Sequence, residues 1–320
     1  MKSLQPPSLQ DVESARRRIA PFVYRTPLVR LNAGSDQNEI YLKLENLQPI
    51  GSFKIRGAGN AMELAGPAGL QHGVFTASAG NMGQGVAWNA QRLRVPCTVV
   101  VPDHAPDAKI SALNRLNAGV IKVPFEEWWK TMVSHQYPGL DGFFIHPVSD
   151  EAVMAGNGTI ALEVLEDLPD VGAVLVPYGG GGLSCGIASV IRALKPDVKV
   201  IGCEVDTATP LAASLSAGAP CEVQHTPSFV DGIGGKSLLQ EMWPLVSRLI
   251  DGAIVVSLKQ IAEAIRLLVE RNRIVAEGAG AASVAAALSR SSGPGKTVCI
   301  VSGGNLDPAK LAAILRNELP

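Results

Sequence analysis

Short runs of branched apolar residues recur along the chain, and longer segments with helix-like spacing lie between them. Many runs are rich in Val and Ile without polar alternation, which is typical of strands buried on both faces of a sheet. Repeated alternation of strand and helix predicts an α/β fold with parallel sheets. The predicted strands are 40–45, 73–78, 97–102, 119–123, 173–178, 198–204, 253–257 and 297–303. The predicted helices are 83–93, 107–117, 154–168, 184–194, 258–271 and 278–290.

Four glycine-rich turns follow these predicted strands, at 78–85, 179–186, 231–237 and 302–305. In parallel α/β proteins, ligands bind beyond the carboxyl ends of the strands. Four such turns at corresponding places therefore predict one composite binding site. The stretch 126–147 has the least regular pattern, and we interpret it as a surface excursion at a domain boundary.

Composition narrows the class of protein. The chain has 320 residues, of which 47% are hydrophobic and 18% charged, so it has ample material for a core and a length that suits two domains or one large one. The net charge of −1 argues against a nucleic-acid partner or a polybasic membrane surface. We find no apolar run long enough to span a bilayer and no apolar core of a signal peptide near the start.

The cysteines and histidines point to a reduced compartment and away from zinc chemistry. The cysteines are odd in number, scattered and never spaced as CxxC, so we expect a cytoplasmic protein. The histidines form no HxxxH or HExxH pair, which disfavours a zinc hydrolase. The five cysteines are Cys97, Cys185, Cys203, Cys221 and Cys299.

The run Gly179–Gly182 lies between a predicted buried strand and a predicted helix. Consecutive glycines let backbone N–H groups converge on one point, and the helix adds its N-terminal dipole, so this turn predicts a phosphate cradle. A dinucleotide fingerprint is only partly matched, because Cys185 stands where its third glycine or alanine belongs, although Glu204 could serve as the ribose-binding acid. A Walker-A motif is absent, since no GK[ST] follows.

Lys54 is the second chemical candidate. It lies in GSFKIRG (51–57), among aromatic and aliphatic neighbours that can desolvate its amine and lower its pKa, and Arg56 would act in the same direction. Such an amine can form a Schiff base, although a lone lysine is more often a solvated surface charge. A Schiff-base lysine together with a phosphate cradle suggests pyridoxal 5′-phosphate.

Several segments together resemble a known family. Segment 45–58 (ENLQPIGSFKIRGA) resembles the lysine motif of the fold-type II pyridoxal-phosphate enzymes, and 78–85 (SAGNMGQG) resembles their asparagine loop. Segments 179–183 (GGGGL) and 301–305 (VSGGN) are similar to their tetraglycine loop and to the motif that places a serine at the pyridine nitrogen, and 25–31 (RTPLVRL) matches upstream. Within the family, the chain looks most like the serine/threonine dehydratase (ammonia-lyase) and serine racemase branch, with a phenylserine-type dehydratase as one option.

The resemblance implies a two-domain α/β fold like that of the tryptophan synthase β subunit, with parallel-rich twisted sheets flanked by helices. A small mobile domain at 72–148 would be inserted into a large cofactor-binding domain made of 1–71 and 149–320. The cofactor would lie in the cleft between them. The family also implies a homodimer that acts on a small amino acid.

The same resemblance assigns roles to individual residues. Lys54 would hold the cofactor as a Schiff base and then remove the Cα proton of the substrate, and Ser302 would face the pyridine nitrogen. A neutral hydroxyl at that nitrogen fits elimination better than transamination. Glu277 matches a family glutamate near the cofactor, and we assign it no role. The implied cofactor-binding residues are Phe53, Lys54, Asn81, Gly179, Gly180, Gly181, Gly182, Leu183, Gly232 and Ser302. The implied substrate-binding residues are Ser78, Ala79, Gly80, Met82 and Gln84.

Three departures from the family pattern refine the expectation. Racemases of this branch carry a second serine where this chain has Ala79, which favours a dehydratase. The usual histidine of the asparagine loop is Met82, a flexible apolar residue that would widen or soften the pocket and so leaves a bulkier substrate, such as a β-phenylserine, as an option. The branch's metal ligands would fall on Glu204, Ala208 and Pro210, and a proline side chain cannot ligate, so we predict no conventional metal site even though Asp206 could substitute.

We therefore predict the dehydrative deamination of a β-hydroxy-α-amino acid to a 2-keto acid and ammonia. The substrate would be threonine, serine or a bulkier analogue such as phenylserine. An amino-acid racemase or a β-replacement synthase with the same cofactor is the nearest alternative. A non-catalytic nucleotide-binding α/β protein that uses Gly179–Gly182 and Glu204 is a further one.

Overall fold

The structure is a computed structural model and describes residues 4–33, 39–289 and 295–320. Its larger sheet has six strands in the order β1-β2-β10-β7-β8-β9. β1 pairs antiparallel with β2, and the other pairs are parallel. The six strands are β1 (Leu28–Arg30), β2 (Ile40–Lys43), β7 (Val171–Pro177), β8 (Lys199–Val205), β9 (Gly252–Val256) and β10 (Lys296–Ile300).

The smaller sheet has four parallel strands in the order β5-β4-β3-β6. Its strands are β3 (Val74–Ala77), β4 (Cys97–Pro102), β5 (Gly119–Val123) and β6 (Phe143–Phe144). All eight predicted strands are present in the two sheets, and the parallel α/β prediction is confirmed. The smaller sheet lies within the predicted small domain at 72–148. The boundaries and the mobility of that domain stay a prediction.

Twelve α-helices flank the sheets in the described parts of the chain, and each predicted helix overlaps one of them, although residue 290 of the predicted helix 278–290 lies outside the described residues. A π-helical turn, Leu268–Asn272, continues α10. None of the described helices combines the length and apolar character needed to cross a membrane. The helices are α1 (Leu9–Ile19), α2 (Lys54–Gly69), α3 (Asn81–Leu93), α4 (Asp107–Arg115), α5 (Phe125–Ser134), α6 (Glu151–Asp167), α7 (Gly182–Leu194), α8 (Pro210–Ala217), α9 (Trp243–Leu249), α10 (Leu258–Leu267), α11 (Gly278–Ser289) and α12 (Pro308–Leu315).

The stretch 126–147 contains most of α5 and all of β6, and its interpretation as a surface excursion at a domain boundary stays a prediction. One expectation about local structure is wrong. The glycine turn at 231–237 does not directly follow a strand, since it lies in the long connection between α8 and α9.

Glycines let two core helices approach closely. A Cβ on Gly186 of α7 would lie 2.3 Å from the backbone oxygen of Met154 in α6, and one on Gly158 of α6 would lie 2.8 Å from the backbone oxygen of Gly186. Real Cβ atoms do not reach such distances, so the crossing requires glycine at these positions. Helix α7 packs against β7 and β8 of the larger sheet, and α6 packs against α7, so the two helices support the glycine turn at 179–182.

A buried ion network fixes the start of α2. Arg56 donates from Nε to Glu45 Oε2 at 2.8 Å and from Nη1 to Glu163 Oε1 at 2.7 Å, and Lys43 Nζ lies 2.5 Å from Glu163 Oε2. All four side chains are buried, and their charges balance. Breaking one such buried pair costs roughly 3–5 kcal/mol, because it leaves a charge without its partner. The network therefore anchors α2 two residues after its first residue, Lys54.

Candidate active site

A cavity of about 380 Å³ lies at the carboxyl ends of strands from both sheets. Residues that follow β3, β4, β7 and β10 line it, and so do residues of all four glycine turns. The predicted residues that the structure brings together on its wall are Phe53, Lys54, Ser78, Ala79, Gly80, Asn81, Met82, Gly179, Gly180, Gly181, Gly182, Leu183, Gly232 and Ser302.

Lys54, the first residue of α2, presents its amine to this cavity. Nζ donates a hydrogen bond to the backbone oxygen of Pro147 at 2.8 Å and lies 5.1 Å from the centre of the Phe53 ring. Burial lowers the pKa of Lys54 to about 8, and the nearby Glu277 carboxylate opposes that shift. About a tenth of the amine is therefore unprotonated at pH 7, far more than for a solvated lysine. Arg56 does not contribute to this shift as we expected, since its charge is matched by Glu45 and Glu163 in the buried network.

The turn Gly179–Gly182 has the form of an anion cradle. Gly181 has φ +100°, a left-handed conformation that favours glycine. A Cβ on Gly180 would lie 2.6 Å from the Val148 side chain, and one on Gly182 would lie 2.7 Å from the Val148 backbone oxygen. Helix α7 begins at Gly182, so its unpaired N–H groups and its dipole point toward the cavity end of this turn.

Asn81, the first residue of α3, is held by two polar side chains. Its Nδ2 donates to Glu277 Oε1 at 2.7 Å, and Asn305 Nδ2 donates to its Oδ1 at 2.8 Å. Burial raises the pKa of Glu277 to about 7. One N–H of the Asn81 amide stays available to the cavity. Sequence reasoning gave Glu277 no role and missed Asn305, although Asn305 ends the quoted VSGGN motif.

Ser302 and Gly232 both line the cavity wall. Ser302 follows β10, is 3% exposed, and accepts a hydrogen bond at its backbone oxygen from Phe53 N at 3.0 Å. This bond ties the start of the Lys54 helix to the end of the central strand. A Cβ on Gly232 would lie 2.9 Å from the Cβ of Ala279, so only glycine fits there.

The predicted substrate loop is split between two cavities. Ser78, Ala79, Gly80 and Met82 line the first, whereas Gln84 lines a neighbouring cavity of about 270 Å³ that Gly80 also borders. The Met82 side chain is 1% exposed and belongs to an apolar cluster between α2, α3 and the smaller sheet, so it is a packed wall rather than an open gap.

Several wall residues escaped sequence reasoning. Trp128 of α5 lines the cavity, and its buried Nε1 has no hydrogen-bond partner among the described residues. Lys109 of α4 also lines it and forms an ion pair with Asp231 at 3.0 Å. Pro147, whose backbone oxygen accepts the hydrogen bond from the Lys54 amine, precedes α6. No local motif marks these positions, because only the packing of distant segments brings them to the site.

Glu204, the alternative ribose-binding acid or metal ligand, has a different structural role. It is buried at the end of β8 and is not among the described residues that line either cavity. Its carboxylate accepts from Leu211 N at 2.7 Å and from Ala212 N at 2.8 Å at the start of α8. It thereby caps that helix, and burial raises its pKa to about 7. The described residues contain no group of three or more side chains placed to hold a metal ion.

Comparison with known proteins extends this picture. Residues 19–303 match the family model described as pyridoxal-phosphate dependent enzyme. A relative from Thermotoga maritima, named L-threonine ammonia-lyase, is 42% identical over 317 residues, which are 98% of this chain and 79% of the relative. The structure of maize serine racemase is similar with a TM-score of 0.89 and 30% identity, covering 98% of each chain. The structure of a threonine deaminase from T.th. is similar with a TM-score of 0.86 and 37% identity, covering 94% of this chain and 99% of that one.

The cavity fits the cofactor of that family on its own geometry. The glycine turn where a Cβ on Gly180 or Gly182 would clash suits a phosphate, and the cavity-facing amine of Lys54, with its lowered pKa, suits an aldehyde carbon. The fold class, the cofactor and the assignment as a lyase are confirmed. The roles of single residues, the homodimer and the cytoplasmic location stay predictions. The chain belongs to the family of pyridoxal-phosphate-dependent enzymes.

Proposed function

We propose that this protein converts a β-hydroxy-α-amino acid, with threonine as the first candidate, into a 2-keto acid and ammonia. The observation that carries the proposal is the half-buried Lys54 amine of lowered pKa, which shares one cavity with the glycine cradle and Ser302. Relatives named L-threonine ammonia-lyase in Thermotoga maritima and Geobacter sulfurreducens, at 42% and 41% identity, support threonine as the substrate.

The cofactor, when bound, supplies the electron sink that allows the Cα–H bond of an amino acid to break. The amine of Lys54 then accepts that proton at Nζ, for which a pKa near 8 is well matched to neutral pH. The Pro147 carbonyl orients the amine. Gly179–Gly182 would hold the phosphate, and Asn81 would hold the ring hydroxyl through its remaining N–H.

Ser302 favours elimination over transfer of the amino group. A serine hydroxyl is neutral and would leave the ring nitrogen without a full positive charge, so less electron density is drawn into the ring. Loss of the β-hydroxyl would then be favoured over transfer of the amino group. Ala79 disfavours the racemase alternative, since racemisation needs a proton donor on each face of Cα and a methyl group donates none.

A larger β-hydroxy amino acid, such as phenylserine, is the second candidate. The supporting observation is the indole of Trp128, which lines the cavity and forms a ring pair with Phe125 at 5.4 Å between centroids. An aromatic wall suits an aryl substituent, because two aromatic rings in contact attract each other beyond the area they bury. The Met82 wall adds apolar surface to the same cavity.

The decisive test is the release of 2-keto acid from a panel of substrates, compared by kcat/KM. The panel holds L- and D-serine, L-threonine, the phenylserine diastereomers and 3-hydroxyaspartate. We expect activity with at least one of them, and loss of that activity in Lys54→Ala by at least about 10³-fold, because the proton acceptor is gone. Lys130→Ala, on the exposed side of α5, is the matched control and should keep wild-type activity.

Two outcomes would contradict the proposal. A cofactor-loaded protein that releases no keto acid from any member of the panel would move the assignment to a racemase or a synthase. A Lys54→Ala variant that keeps its activity would overturn the role of Lys54.

The choice of substrate side chain depends on Trp128. Replacing it with alanine in Trp128→Ala should lower kcat/KM for phenylserine relative to threonine by about tenfold, since an aromatic contact and its buried area are lost. The adjacent Trp129 is 40% exposed and is the matched control, because Trp129→Ala removes an indole outside the set of described residues that line the cavity. An unchanged ratio in Trp128→Ala would argue against the second candidate.

A further inference from the structure

A buried histidine organises the turn that precedes α6. His146 is 2% exposed, and its Nδ1 accepts hydrogen bonds from Val148 N at 3.1 Å and from Ser149 N at 2.7 Å. Two backbone donors converging on one ring nitrogen fold residues 146–149 into a tight turn. The ring thus replaces the carbonyl that a turn of backbone alone would use as its acceptor.

The imidazole is neutral in this setting. Burial lowers the pKa of His146 to about 3, and His135 and Lys54 act in the same direction. The His135 ring lies 4.8 Å away between centroids, and a hydrogen bond to the backbone of Met132 opposes the shift. A neutral ring with Nδ1 as acceptor carries its single proton on Nε2. The tautomer is therefore fixed by the two backbone donors.

The turn 146–149 contacts both parts of the cofactor site. The Pro147 backbone oxygen receives the Lys54 amine at 2.8 Å. The Val148 side chain lies 2.6 Å from where a Cβ on Gly180 would be, and the Val148 backbone oxygen lies 2.7 Å from where a Cβ on Gly182 would be. A shift of this turn would therefore move the acceptor of the lysine and the support of the glycine cradle together.

We propose that His146 is a positioning residue for the cofactor site. Through Pro147 and Val148, it fixes the Lys54 amine and the glycine cradle in their positions relative to each other. It acts through these neighbours, since it is outside the set of described residues that line the cavity. The proposal rests on the cofactor-binding role of Lys54 and Gly179–Gly182. Only its expected effect on kcat and KM depends on the proposed dehydration.

Two variants separate the acceptor function from simple filling of space. Asparagine places an amide oxygen near the position of Nδ1, so His146→Asn keeps an acceptor for both backbone donors. Leucine fills the space without an acceptor, so His146→Leu leaves those two N–H groups unpaired in a buried place. His72, which is exposed, supplies the matched control His72→Leu.

The first measurement is the affinity of the apoprotein for pyridoxal 5′-phosphate. Binding is monitored by the absorbance of the cofactor, in the absence of substrate. We expect His146→Leu to bind the cofactor about tenfold more weakly than the wild type does, because two buried N–H groups lose their acceptor. His146→Asn should bind it within about threefold of the wild type, because the amide oxygen accepts from the same two N–H groups. The pH at which the absorbance band of the bound cofactor changes should shift in His146→Leu and return in His146→Asn. In the kinetic assay, kcat should fall more than KM rises.

Equal affinity and an equal pH midpoint in His146→Leu and the wild type would overturn the proposal, as would equal impairment of both variants. If His146→Leu does not fold, the ¹⁵N chemical shifts of the wild-type imidazole decide the question. An unprotonated Nδ1 across pH 5–9 supports the acceptor role, and a protonated Nδ1 refutes it. Because cofactor binding needs no substrate, a protein that fails every substrate assay can still pass or fail this test.

Discussion

At the scale of single residues, Glu277 shows how the environment turns an unassigned acid into part of a site. It is 8% exposed, accepts from Asn81, and has a pKa raised by burial to about 7. The sequence identified the position through a family match but offered no physical reason for it. The reason is tertiary, since Asn81, Gly303 and Asn305 reach this carboxylate from segments far apart in the chain.

This raised pKa predicts a pH-dependent stability. Folded Glu277 holds its proton to a higher pH than the unfolded chain does, so the protein loses stability as the pH rises from about 4.5 to about 7. In Glu277→Gln apoprotein, the fall in unfolding free energy over this interval should be smaller by up to roughly 3 kcal/mol. Urea unfolding at several pH values measures it, with Glu263→Gln on the exposed side of α10 as a control. Parallel curves for wild type and Glu277→Gln would contradict the prediction.

At the scale of elements, the crossing of α6 and α7 decides where the cradle lies. The two helices approach through Gly158 and Gly186, and α7 begins at the last glycine of the cradle. Which glycines would meet could not be foreseen from the sequence, because helix spacing alone does not reveal the partner helix.

A single methyl group should disturb this crossing. In Gly186→Ala, the added Cβ would lie 2.3 Å from the Met154 oxygen, and backbone cannot move aside cheaply. We expect a loss of about 1–3 kcal/mol in unfolding free energy, measured by urea titration. Gly252→Ala in β9 is the control, since apart from its chain neighbours no heavy atom of the described residues lies within 4 Å of its new Cβ, and stability should change little. Equal stability of the two variants would show that the helices can separate at no cost.

Among the elements, all eight predicted strands are found, whereas β1, β6 and six helices were not predicted. The buried parallel strands were predictable because their apolar runs are continuous. The two missed strands span three and two residues, which is too short for a periodic pattern, and they form because a neighbouring strand offers hydrogen bonds. Helix α2 was missed because it carries four glycines and a proline, which local propensity disfavours.

At the scale of the whole molecule, the cavity residues that lie in sequence motifs could be predicted, whereas those contributed by other segments could not. Lys54, Asn81 and Gly179–Gly182 were found because each lies in a recognisable motif at a turn. Trp128 and His146 were not, because their place in the site depends on how α5 and the turn before α6 pack against residues far away in the chain. The motifs predict the chemistry, whereas the residues between them reach the cavity only through tertiary packing.

The position of β10 has a consequence for how this protein is made. Although it is the last strand along the described chain, it lies in the middle of the larger sheet, between β2 and β7. While the polypeptide is still being synthesised and Lys296 has not yet been added, β2 and β7 each lack a neighbour and offer unpaired backbone groups to other chains. Ser302 follows directly, so the site is also completed only then. The nascent chain thus passes through a late, aggregation-exposed stage in which chaperones would protect it.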